Sequence, residues 1–409
     1  MSNRRAFLKF LAGTPLLAAA PSLAHALVQS SNPQTIDSVI ASAAEAINVF
    51  DFEAAARKAL PPAHWGYMAG GVDDDGTIRA NREAFSHYQL RARVFVDVSK
   101  IDMSTELFGT KWDIPIVLAP VGSQKAFHPQ GEVAAARAAQ SKKALQILST
   151  QSSTAVEDVI GARGAPIWYQ LYTTNSWDIT QRLVKRAERA GCPVVAVTLD
   201  LPNGRNSETQ ARFQKLDTRV CANCHGGGDR PNADPTGSST KPMFSGVDMA
   251  GIGLTSPSLT WDFVRRLKDV TTMKVVLKGL QTGEDAALAV QNGADGIIVS
   301  NHGGRSAETL RGTIDCLPDV IRGTAGRIPV IVDGGFRRGT DIFKALAMGA
   351  RGVAIGRPYI WGLASFGQIG VERVLDILTR ELTLAMGQCG ARSLKEMTPA
   401  SIIDTGRRG

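Results

Sequence analysis

The amino-acid sequence predicts an α/β fold, a (β/α)8 TIM barrel with a long lid insertion after the fourth strand. Short apolar runs recur eight times along the chain, helical stretches separate most of them, and the last three end in glycine-rich loops. Alternating strands and helices favour a parallel sheet, and eight such units close into a barrel. The runs are Ile114–Ala119, Leu145–Leu148, Ile167–Leu171, Pro193–Leu199, Lys274–Leu277, Gly296–Val299, Pro329–Val332 and Gly352–Ile355.

One connection breaks this alternation. The segment from Pro202 to Thr272 is about seventy residues long, whereas an ordinary connection has about 2–6 residues. We therefore expect residues 203–257 to form a lid or partner-binding loop over the catalytic face. Elsewhere helices connect the strands, with the clearest patterns at Glu132–Lys143, Trp177–Ala190, Gly283–Asn292 and Thr340–Met348.

The first residues of the chain predict a targeting segment. Arg4 and Arg5 form a twin-arginine signature, which an apolar run at Phe10–Ala20 and an Ala-His-Ala cleavage pattern ending at Ala26 follow. We expect residues 1–26 to be a signal peptide and residues 27–409 to be a single barrel domain, soluble in the periplasm after cleavage near Ala26. An uncleaved membrane anchor is the alternative.

Composition and charge narrow the range of partners. The chain of 409 residues is 44% hydrophobic and carries a formal charge of +8. Removing Arg4, Arg5 and Lys9 with the signal leaves +5, since 8 − 3 = 5 and residues 1–26 contain no acid. This modest excess favours anionic substrates and acidic redox partners. We expect no nucleic-acid partner, because no basic run has interleaved aromatic residues.

Catalytic chemistry is predicted at Ser300–Arg305, which follows the apolar run Gly296–Val299. The carboxyl ends of barrel strands are where α/β enzymes place reactive groups. His302 can accept a proton near neutral pH, and Arg305 can bind a carboxylate through two charge-assisted hydrogen bonds. The pair indicates a base that acts on a carboxylate substrate. The alternative is a turn in which the His caps a helix and the Arg is solvated.

The loops after the seventh and eighth predicted strands indicate a phosphate site. Gly334, Gly335 and Gly356 allow backbone N–H groups to approach an anion closely, and Arg337 and Arg357 supply positive charge. In a (β/α)8 barrel these two loops commonly bind a phosphate group.

With these segments the chain resembles the FMN-dependent α-hydroxy-acid oxidase and dehydrogenase family, which includes glycolate oxidase, lactate oxidase, mandelate dehydrogenase and flavocytochrome L-lactate dehydrogenase. The resemblance covers about Val49 to Leu394 and rests on two motifs, Ser-Asn-His-Gly-x-Arg at Ser300–Arg305 and Asp-Gly-Gly-x-Arg-Arg-Gly-x-Asp at Asp333–Asp341. It implies FMN-dependent oxidation of a lactate-like L-2-hydroxy acid to the 2-oxo acid, and a homotetramer by analogy.

The resemblance assigns the proton-transfer residues. His302 matches the base, which takes a proton either from the α-carbon or from the hydroxyl as hydride leaves; both routes stay open. Asp200 matches the aspartate that orients this His, although alone it could equally cap a helix. Lys278 matches the lysine whose charge offsets that of reduced flavin, with a surface Lys as the alternative.

Substrate contacts follow from the same resemblance. Arg305 and Tyr67 match the residues that bind the substrate carboxylate, and Tyr172 matches the second active-site tyrosine, which serves catalysis and binding. The family's second substrate arginine has no clear equivalent, and Arg205 is the nearest candidate. Gln151 stands where glycolate oxidase has a bulky aromatic residue, so this wall of the pocket is more polar. The sequence therefore does not identify the side chain of the substrate.

FMN-binding residues are likewise implied by the resemblance. Around the ring system and ribityl chain they are Pro120, Val121, Gly122, Ser149, Gln170, Thr198, Lys278 and Ser300, and at the phosphate end they are Asp333, Gly334, Gly335, Arg337, Gly356 and Arg357.

A second motif lies inside the predicted lid. Cys221, Cys224 and His225 form a C-x-x-C-H run, the type that attaches c-type haem. In that interpretation His225 is the proximal ligand of the haem iron and Met243 or Met249 is the distal one, and no other metal site is expected. A lid disulfide or redox-active pair, and an incidental loop, are the alternatives.

Three hypotheses for the activity follow. The main one is a periplasmic dehydrogenase that passes electrons from FMN to a haem, a cytochrome or a quinone-linked acceptor. The alternative is an oxidase that reduces dioxygen to hydrogen peroxide, because the small Gly122 leaves room for oxygen near the flavin. The third is a non-redox flavin barrel or a binding protein.

Overall fold

Eight parallel strands close into a barrel, as the sequence predicts. The computed structural model describes residues 39–219 and 240–406. In barrel order from first to eighth, the strands are β4 (Ile116–Leu118), β5 (Leu145–Ser149), β6 (Trp168–Tyr172), β7 (Val194–Thr198), β8 (Lys274–Leu280), β9 (Gly296–Val299), β10 (Val330–Asp333) and β11 (Gly352–Ile355). β11 pairs with β4 to close the ring, with Val353 opposite Ile116.

Alternation along each strand gives the barrel two apolar faces. One set of side chains fills the interior, including Val117, Ile147, Val276 and Ile331, while their sequence neighbours pack outward against the helices. Both faces are buried, which explains why the strands read as continuous apolar runs. An antiparallel hairpin of β2 (Thr105–Leu107) and β3 (Thr110–Trp112) joins the interior cluster.

Helices surround the barrel within the residues that the structure describes. They are α1 (Asp51–Ala59), α2 (Pro62–Ala69), α3 (Gly76–Glu83), α4 (Gly131–Ser141), α5 (Val156–Arg163), α6 (Trp177–Arg189), α7 (Glu208–Gln214), α8 (Asp262–Val270), α9 (Gly283–Gln291), α10 (Thr313–Thr324), α11 (Gly339–Ala347) and α12 (Arg357–Gln388), which is broken at Phe366 and Gly367. β1 (Tyr88–Leu90) pairs with β12 (Ile402–Asp404). None of these described helices is long and apolar enough to cross a membrane.

The first described part of the predicted lid packs on the N-terminal helices. α7 lies against α2 so closely that a side chain at Gly66 would overlap Phe213. Thr209 donates a hydrogen bond to Asp75 (2.7 Å), and Asp217 accepts one from the backbone of Ala63 (3.1 Å). Residues 220–239 lie outside the described part, so a lid over residues 203–257 stays a prediction. The signal segment 1–26 and the Cys221–His225 motif also lie outside it.

Candidate active site

The predicted reactive groups meet in one cavity at the carboxyl ends of the strands. Its walls come from the loops after β4, β9, β10 and β11, from β8 and from α2. The predicted residues that line it are Tyr67, Pro120, Val121, Gly122, Tyr172, Lys278, His302, Arg305, Asp333, Gly334, Gly335, Arg337, Gly356 and Arg357.

His302 is held by a partner on each ring nitrogen. Its Nδ1 lies 3.2 Å from Oδ1 of Asp200, and its Nε2 lies 3.2 Å from the hydroxyl of Tyr172. The backbone of His302 is left-handed, with φ of 58°, and so are those of Gly303 and Gly304. This turn is unfavourable for a side-chain-bearing residue by about 1–2 kcal/mol, and it aims the imidazole back over the barrel.

Charge and burial set the protonation states of this pair. Burial alone would raise the pKa of the Asp200 carboxyl, but the charge of His302 when its ring is protonated, the charge of Lys278 and the hydrogen bond from His302 lower it below its usual value. Burial lowers the pKa of His302, and Asp200 opposes this only in part. Asp200 is therefore an anion beside a neutral imidazole. The geometry assigns the imidazole proton to Nδ1 and leaves Nε2 as the base.

Tyr172 completes the reactive group. Its ring stacks on the imidazole at 6.3 Å between centroids, with 16° between the planes. Burial raises the pKa of Tyr172 well above its ordinary value, so its hydroxyl stays protonated and can donate to Nε2 of His302. A hydrogen-bond donor therefore stands at the point where a substrate oxygen would meet the base.

A glycine in β8 makes room for Asp200. At Gly279 the backbone φ is +114°, and an added Cβ would approach the Cβ of Asp200 to 2.7 Å. The register of β8 against β9 shifts between Lys278 and Leu280, on either side of this glycine. The bulge turns Lys278 into the cavity and leaves Asp200 close to His302.

Lys278 is buried, with 4% of its side chain exposed, and is linked to two polar neighbours. Its Nζ donates to Oγ of Ser300 (3.0 Å) and lies 3.6 Å from Oδ2 of Asp333. Ser300 in turn donates to Asp333 (2.7 Å) and accepts from the backbone N–H of His302 (3.0 Å). One network thus fixes a cation in the floor of the cavity and the start of the His302 turn, which favours the catalytic interpretation of Lys278 over a surface one.

Arg305 offers a carboxylate site. Its Nη1 donates to the backbone carbonyls of Tyr67 and Gly70, and the guanidinium lies 4.7 Å from the centre of the Tyr67 ring. Its Nη2 is buried without a hydrogen-bond partner among the described residues. Burial, with the nearby charge of Arg205, lowers the pKa of Arg305 to about 9. A bound carboxylate would supply the missing acceptor and relieve that repulsion.

Arg205 lies in the same neighbourhood. It borders a second cavity together with Tyr67 and Tyr172, and its positive charge acts on both His302 and Arg305. The sequence candidate for the second substrate arginine is therefore close to the base.

The phosphate end has two buried guanidinium groups. Burial, followed by the charge of a neighbouring arginine, lowers the pKa of both Arg337 and Arg357 to about 10. Arg337 stacks on Trp361 at 4.6 Å. The guanidinium nitrogens of Arg357 donate hydrogen bonds to the backbone carbonyls of Met68, Gly303 and Gly70. Arg357 therefore links these segments as well as adding positive charge.

This end of the cavity fits the phosphate of FMN. A Cβ added at Gly356 would meet open space, and α12 begins at the next residue, so backbone N–H groups and the helix dipole face the gap. An anion here would offset the repulsion between Arg337 and Arg357. The cofactor residues Ser149, Gln170 and Thr198 are buried but do not line this cavity, and Gln170 donates to Thr198 (2.9 Å).

Arg337→Gln should weaken FMN binding by about ten- to a hundredfold, because a charge-assisted hydrogen bond to phosphate contributes about 1.5–3 kcal/mol. Flavin fluorescence during dialysis would measure the dissociation constant. Arg338→Gln is the matched control, since the side chain of Arg338 is 42% exposed and pairs with Glu381 outside the cavity. Equal FMN retention by the two variants would contradict the assignment.

The cavity holds a proton acceptor beside a cationic carboxylate site, and it ends in a phosphate-binding loop. These features place the protein in the class of barrel oxidoreductases that use a flavin nucleotide. The sequence model of the FMN-dependent dehydrogenase family matches residues 56–404. The chain belongs to this family, and it is an FMN-dependent (S)-2-hydroxy-acid oxidase or dehydrogenase.

Named relatives cover nearly the whole matched region. A peroxisomal (S)-2-hydroxy-acid oxidase of Oryza sativa subsp. japonica is 42% identical over 362 residues, 88% of this chain and 97% of its own. Glycolate oxidase of Spinacia oleracea is 41% identical over 360 residues, 88% and 96% of the two chains. Among solved structures, a flavocytochrome b2 mutant with pyruvate bound has a TM-score of 0.79 at 31% identity, covering 90% of this chain and 89% of its own.

Proposed function

We propose that this chain is an (S)-2-hydroxy-acid oxidase that transfers electrons from its substrate to dioxygen and releases hydrogen peroxide. The observation that carries the proposal is His302, held between Asp200 and Tyr172 and facing the same cavity as Arg305. Two relatives at 41–42% identity are named as oxidases. The main hypothesis from the sequence has a haem or a cytochrome as the electron acceptor. The proposal replaces that acceptor with dioxygen, the alternative given with it.

The chain's own residues divide the chemistry between them. FMN, when bound, supplies the two-electron acceptor. Arg305 and Tyr67 bind the substrate carboxylate, with Arg205 adding charge, and the substrate hydroxyl meets Nε2 of His302. His302 takes the proton, and the anionic Asp200 stabilises the imidazolium that forms.

Lys278 and Tyr172 act around this transfer. Lys278, fixed by Ser300 and Asp333, holds a positive charge in the wall of the cavity, where it would favour negative charge on a bound flavin. Tyr172 donates a hydrogen bond to the substrate oxygen when the substrate separates it from Nε2.

The pH dependence of kcat/KM should follow the base. Activity requires neutral His302, and the pKa of His302 lies below its usual value of 6.5. We therefore expect kcat/KM to be level through neutral pH and to fall only as the pH drops below 6.5. Asp200→Asn removes the anion that raises this pKa, so the fall should move to lower pH while turnover drops. A fall centred above pH 7 in the unmodified enzyme would contradict this assignment.

A cytochrome-linked dehydrogenase is the second candidate, and the motif Cys221–His225 favours it. The two methionines considered as distal ligands, Met243 and Met249, are buried in the hydrophobic core at 2% and 3% exposure. A haem would therefore need another distal ligand or a rearrangement of this segment.

One pair of measurements separates the two candidates. The purified holoenzyme would receive L-lactate and longer L-2-hydroxy acids, first without oxygen and then in air, while the visible spectrum and hydrogen peroxide are followed. Flavin bleaching with about one peroxide per 2-oxo acid supports the oxidase. Haem bands, or slow reoxidation in air, favour the dehydrogenase. A flavin spectrum that no 2-hydroxy acid changes would overturn both.

We also propose that the protein is exported to the periplasm. The twin-arginine signature suits a protein that folds around FMN before it crosses the membrane, and it predicts a mature N-terminus just after Ala26. Fractionation of expressing cells and N-terminal sequencing would test this, and a cytoplasmic product that retains Arg4 and Arg5 would contradict it.

A further inference from the structure

The loops after β4 and β5 meet at a buried carboxylate, that of Glu132 at the start of α4. We propose that Glu132 is a positioning residue of the reaction. It fixes residues 120–122, in the loop after β4, against the ring system of bound FMN, and so sets the rate at which the substrate reduces the flavin. This inference rests on the oxidation of a 2-hydroxy acid in the proposed function, and it holds whichever acceptor takes the electrons.

Glu132 accepts hydrogen bonds from both loops, and its side chain is 0% exposed. Its Oε1 accepts from the backbone N–H groups of Gln124 (3.1 Å) and Ser153 (2.8 Å). Its Oε2 accepts from the hydroxyls of Ser153 (2.7 Å) and Thr154 (2.9 Å). The carboxylate lies in the first turn of α4, where the helix dipole favours a negative charge. Gln124 belongs to the loop after β4 and the other two donors to the loop after β5, so one carboxylate joins the two loops.

Gln124 connects Glu132 to the wall of the catalytic cavity. Its Nε2 donates to the carbonyl of Val121 and to the hydroxyl of Tyr359, each at 3.1 Å. The Tyr359 hydroxyl in turn donates to the carbonyl of Ala119 (2.8 Å). Both carbonyls belong to the segment that lines the catalytic cavity. A chain of hydrogen bonds that begins at Glu132 therefore holds the backbone of this wall at two points.

The turn at Ser123 explains why this wall needs an anchor. The backbone φ of Ser123 is 54°, a left-handed value that a residue with a side chain keeps only where the surrounding contacts fix it. Its N–H donates to the carbonyl of Gln151 (2.8 Å), and its hydroxyl accepts from Nζ of Lys241 (2.7 Å). The N–H groups of the next two residues donate to Glu132 and to Oγ of Ser153 (3.0 Å). Since the Ser153 hydroxyl itself donates to Glu132, loss of Glu132 would loosen both of these anchors.

A small movement of this turn would reach the reacting groups. A Cβ added at Gly122 would lie 2.8 Å from the Cβ of Gln151, so the two loops are in contact there. Gly122 lines the catalytic cavity and also the second cavity, and both of these spaces include Tyr67 and Tyr172 beside the base. The wall that Glu132 holds therefore borders the cofactor space and the residues that meet the substrate. Electron transfer from substrate to flavin depends steeply on alignment, since a misplacement of about 1 Å can lower a rate by about a hundredfold.

The test replaces Glu132 in the holoenzyme. Glu132→Ala should lower the rate constant of flavin reduction by about tenfold or more, as measured by stopped flow without oxygen. The dissociation constant of the substrate should change by less than about threefold, because Arg305 and Tyr67 keep their contacts. The visible circular dichroism of bound FMN, recorded without substrate, should change too, because it reports the surroundings of the ring. Glu132→Gln should restore most of both properties, since its amide oxygen can accept from the two N–H groups and its amide nitrogen can donate to the two hydroxyls.

Glu188→Ala is the matched control, because Glu188 joins two segments in the same way at the other end of the barrel. On α6, Glu188 accepts from the backbone N–H of Thr272 and from the hydroxyls of Thr271 and Thr272, where the chain enters β8. The cavity lies at the carboxyl ends of the strands, so these contacts are remote from it. Glu188→Ala should lower the midpoint temperature of unfolding, as Glu132→Ala does, but leave flavin reduction and the dichroism of FMN unchanged.

The outcomes distinguish this inference from the proposed function. A Glu132→Ala enzyme that loses stability alone, or equal changes in Glu188→Ala, would overturn the inference and leave the proposed function intact. If Glu132→Ala does not fold, Glu132→Asp decides, because its carboxylate is one methylene shorter and cannot reach both loops. The same two changes in Glu132→Asp support the inference, and their absence overturns it. If no 2-hydroxy acid reduces the flavin of the unmodified enzyme, the proposed function fails, and the dichroism of bound FMN still tests the position of the wall.

Discussion

His302→Asn should lower kcat by about 10²- to 10⁴-fold, because it removes the general base. Asn is the informative replacement, since φ at this position is 58° and Asn tolerates the left-handed conformation better than most residues. Its amide cannot accept the substrate proton. Stopped-flow reduction of the flavin without oxygen would measure the affected step directly.

Flavin binding is the control for this variant. FMN should be retained, because the phosphate end at Arg337 is separate from the imidazole. An unchanged rate of flavin reduction in His302→Asn would remove His302 from the chemistry. A loss of FMN would instead show that the turn itself had collapsed.

Arg305→Lys should lower kcat/KM by about 10²- to 10³-fold, as breaking one partner of a buried charged hydrogen-bond pair costs about 2–5 kcal/mol. A lysine keeps the charge but lacks the planar fork that binds the carbonyls of Tyr67 and Gly70 on one side and a carboxylate on the other. Steady-state kinetics would report the loss chiefly as a higher KM.

Arg311→Lys is the matched control, because Arg311 lies exposed on the same loop. Its kinetics should match those of the unmodified enzyme. Guanidinium rescue is a further readout, since added guanidinium should partly restore activity to an Arg305→Ala variant but not to a His302→Asn variant. Equal kinetics for Arg305→Lys and Arg311→Lys would contradict the carboxylate assignment.

The barrel was predictable because both faces of every strand are buried. A fully buried strand needs apolar residues at every position, so runs such as Gly296–Val299 stand out, and the structure has the same limits for that strand. The end of β8 was harder to predict. The strand continues through Lys278 and Gly279 to Leu280, because a bulge accommodates residues that do not fit the apolar pattern.

The catalytic groups were predictable where strand ends and motifs coincide, as at His302 and Arg305. The burial of Lys241 was not predictable, because a single lysine in a polar, glycine-rich stretch has the same local sequence whether it is solvated or buried. Its long-range contact with Ser123 appears in the structure alone. The structural role of Arg357 could not be predicted either, because its partners are backbone carbonyls, which carry no sequence signal.

The arginine contacts to α2 affect how the protein is made. Arg305 and Arg357 bind the carbonyls of Tyr67, Met68 and Gly70, and the first and last of these five residues are separated by nearly the whole barrel. A nascent chain cannot complete these contacts until its eighth strand has left the ribosome. The N-terminal helices therefore gain their full set of contacts only late in synthesis, and the phosphate end of the FMN pocket is complete only once Arg357 has been translated.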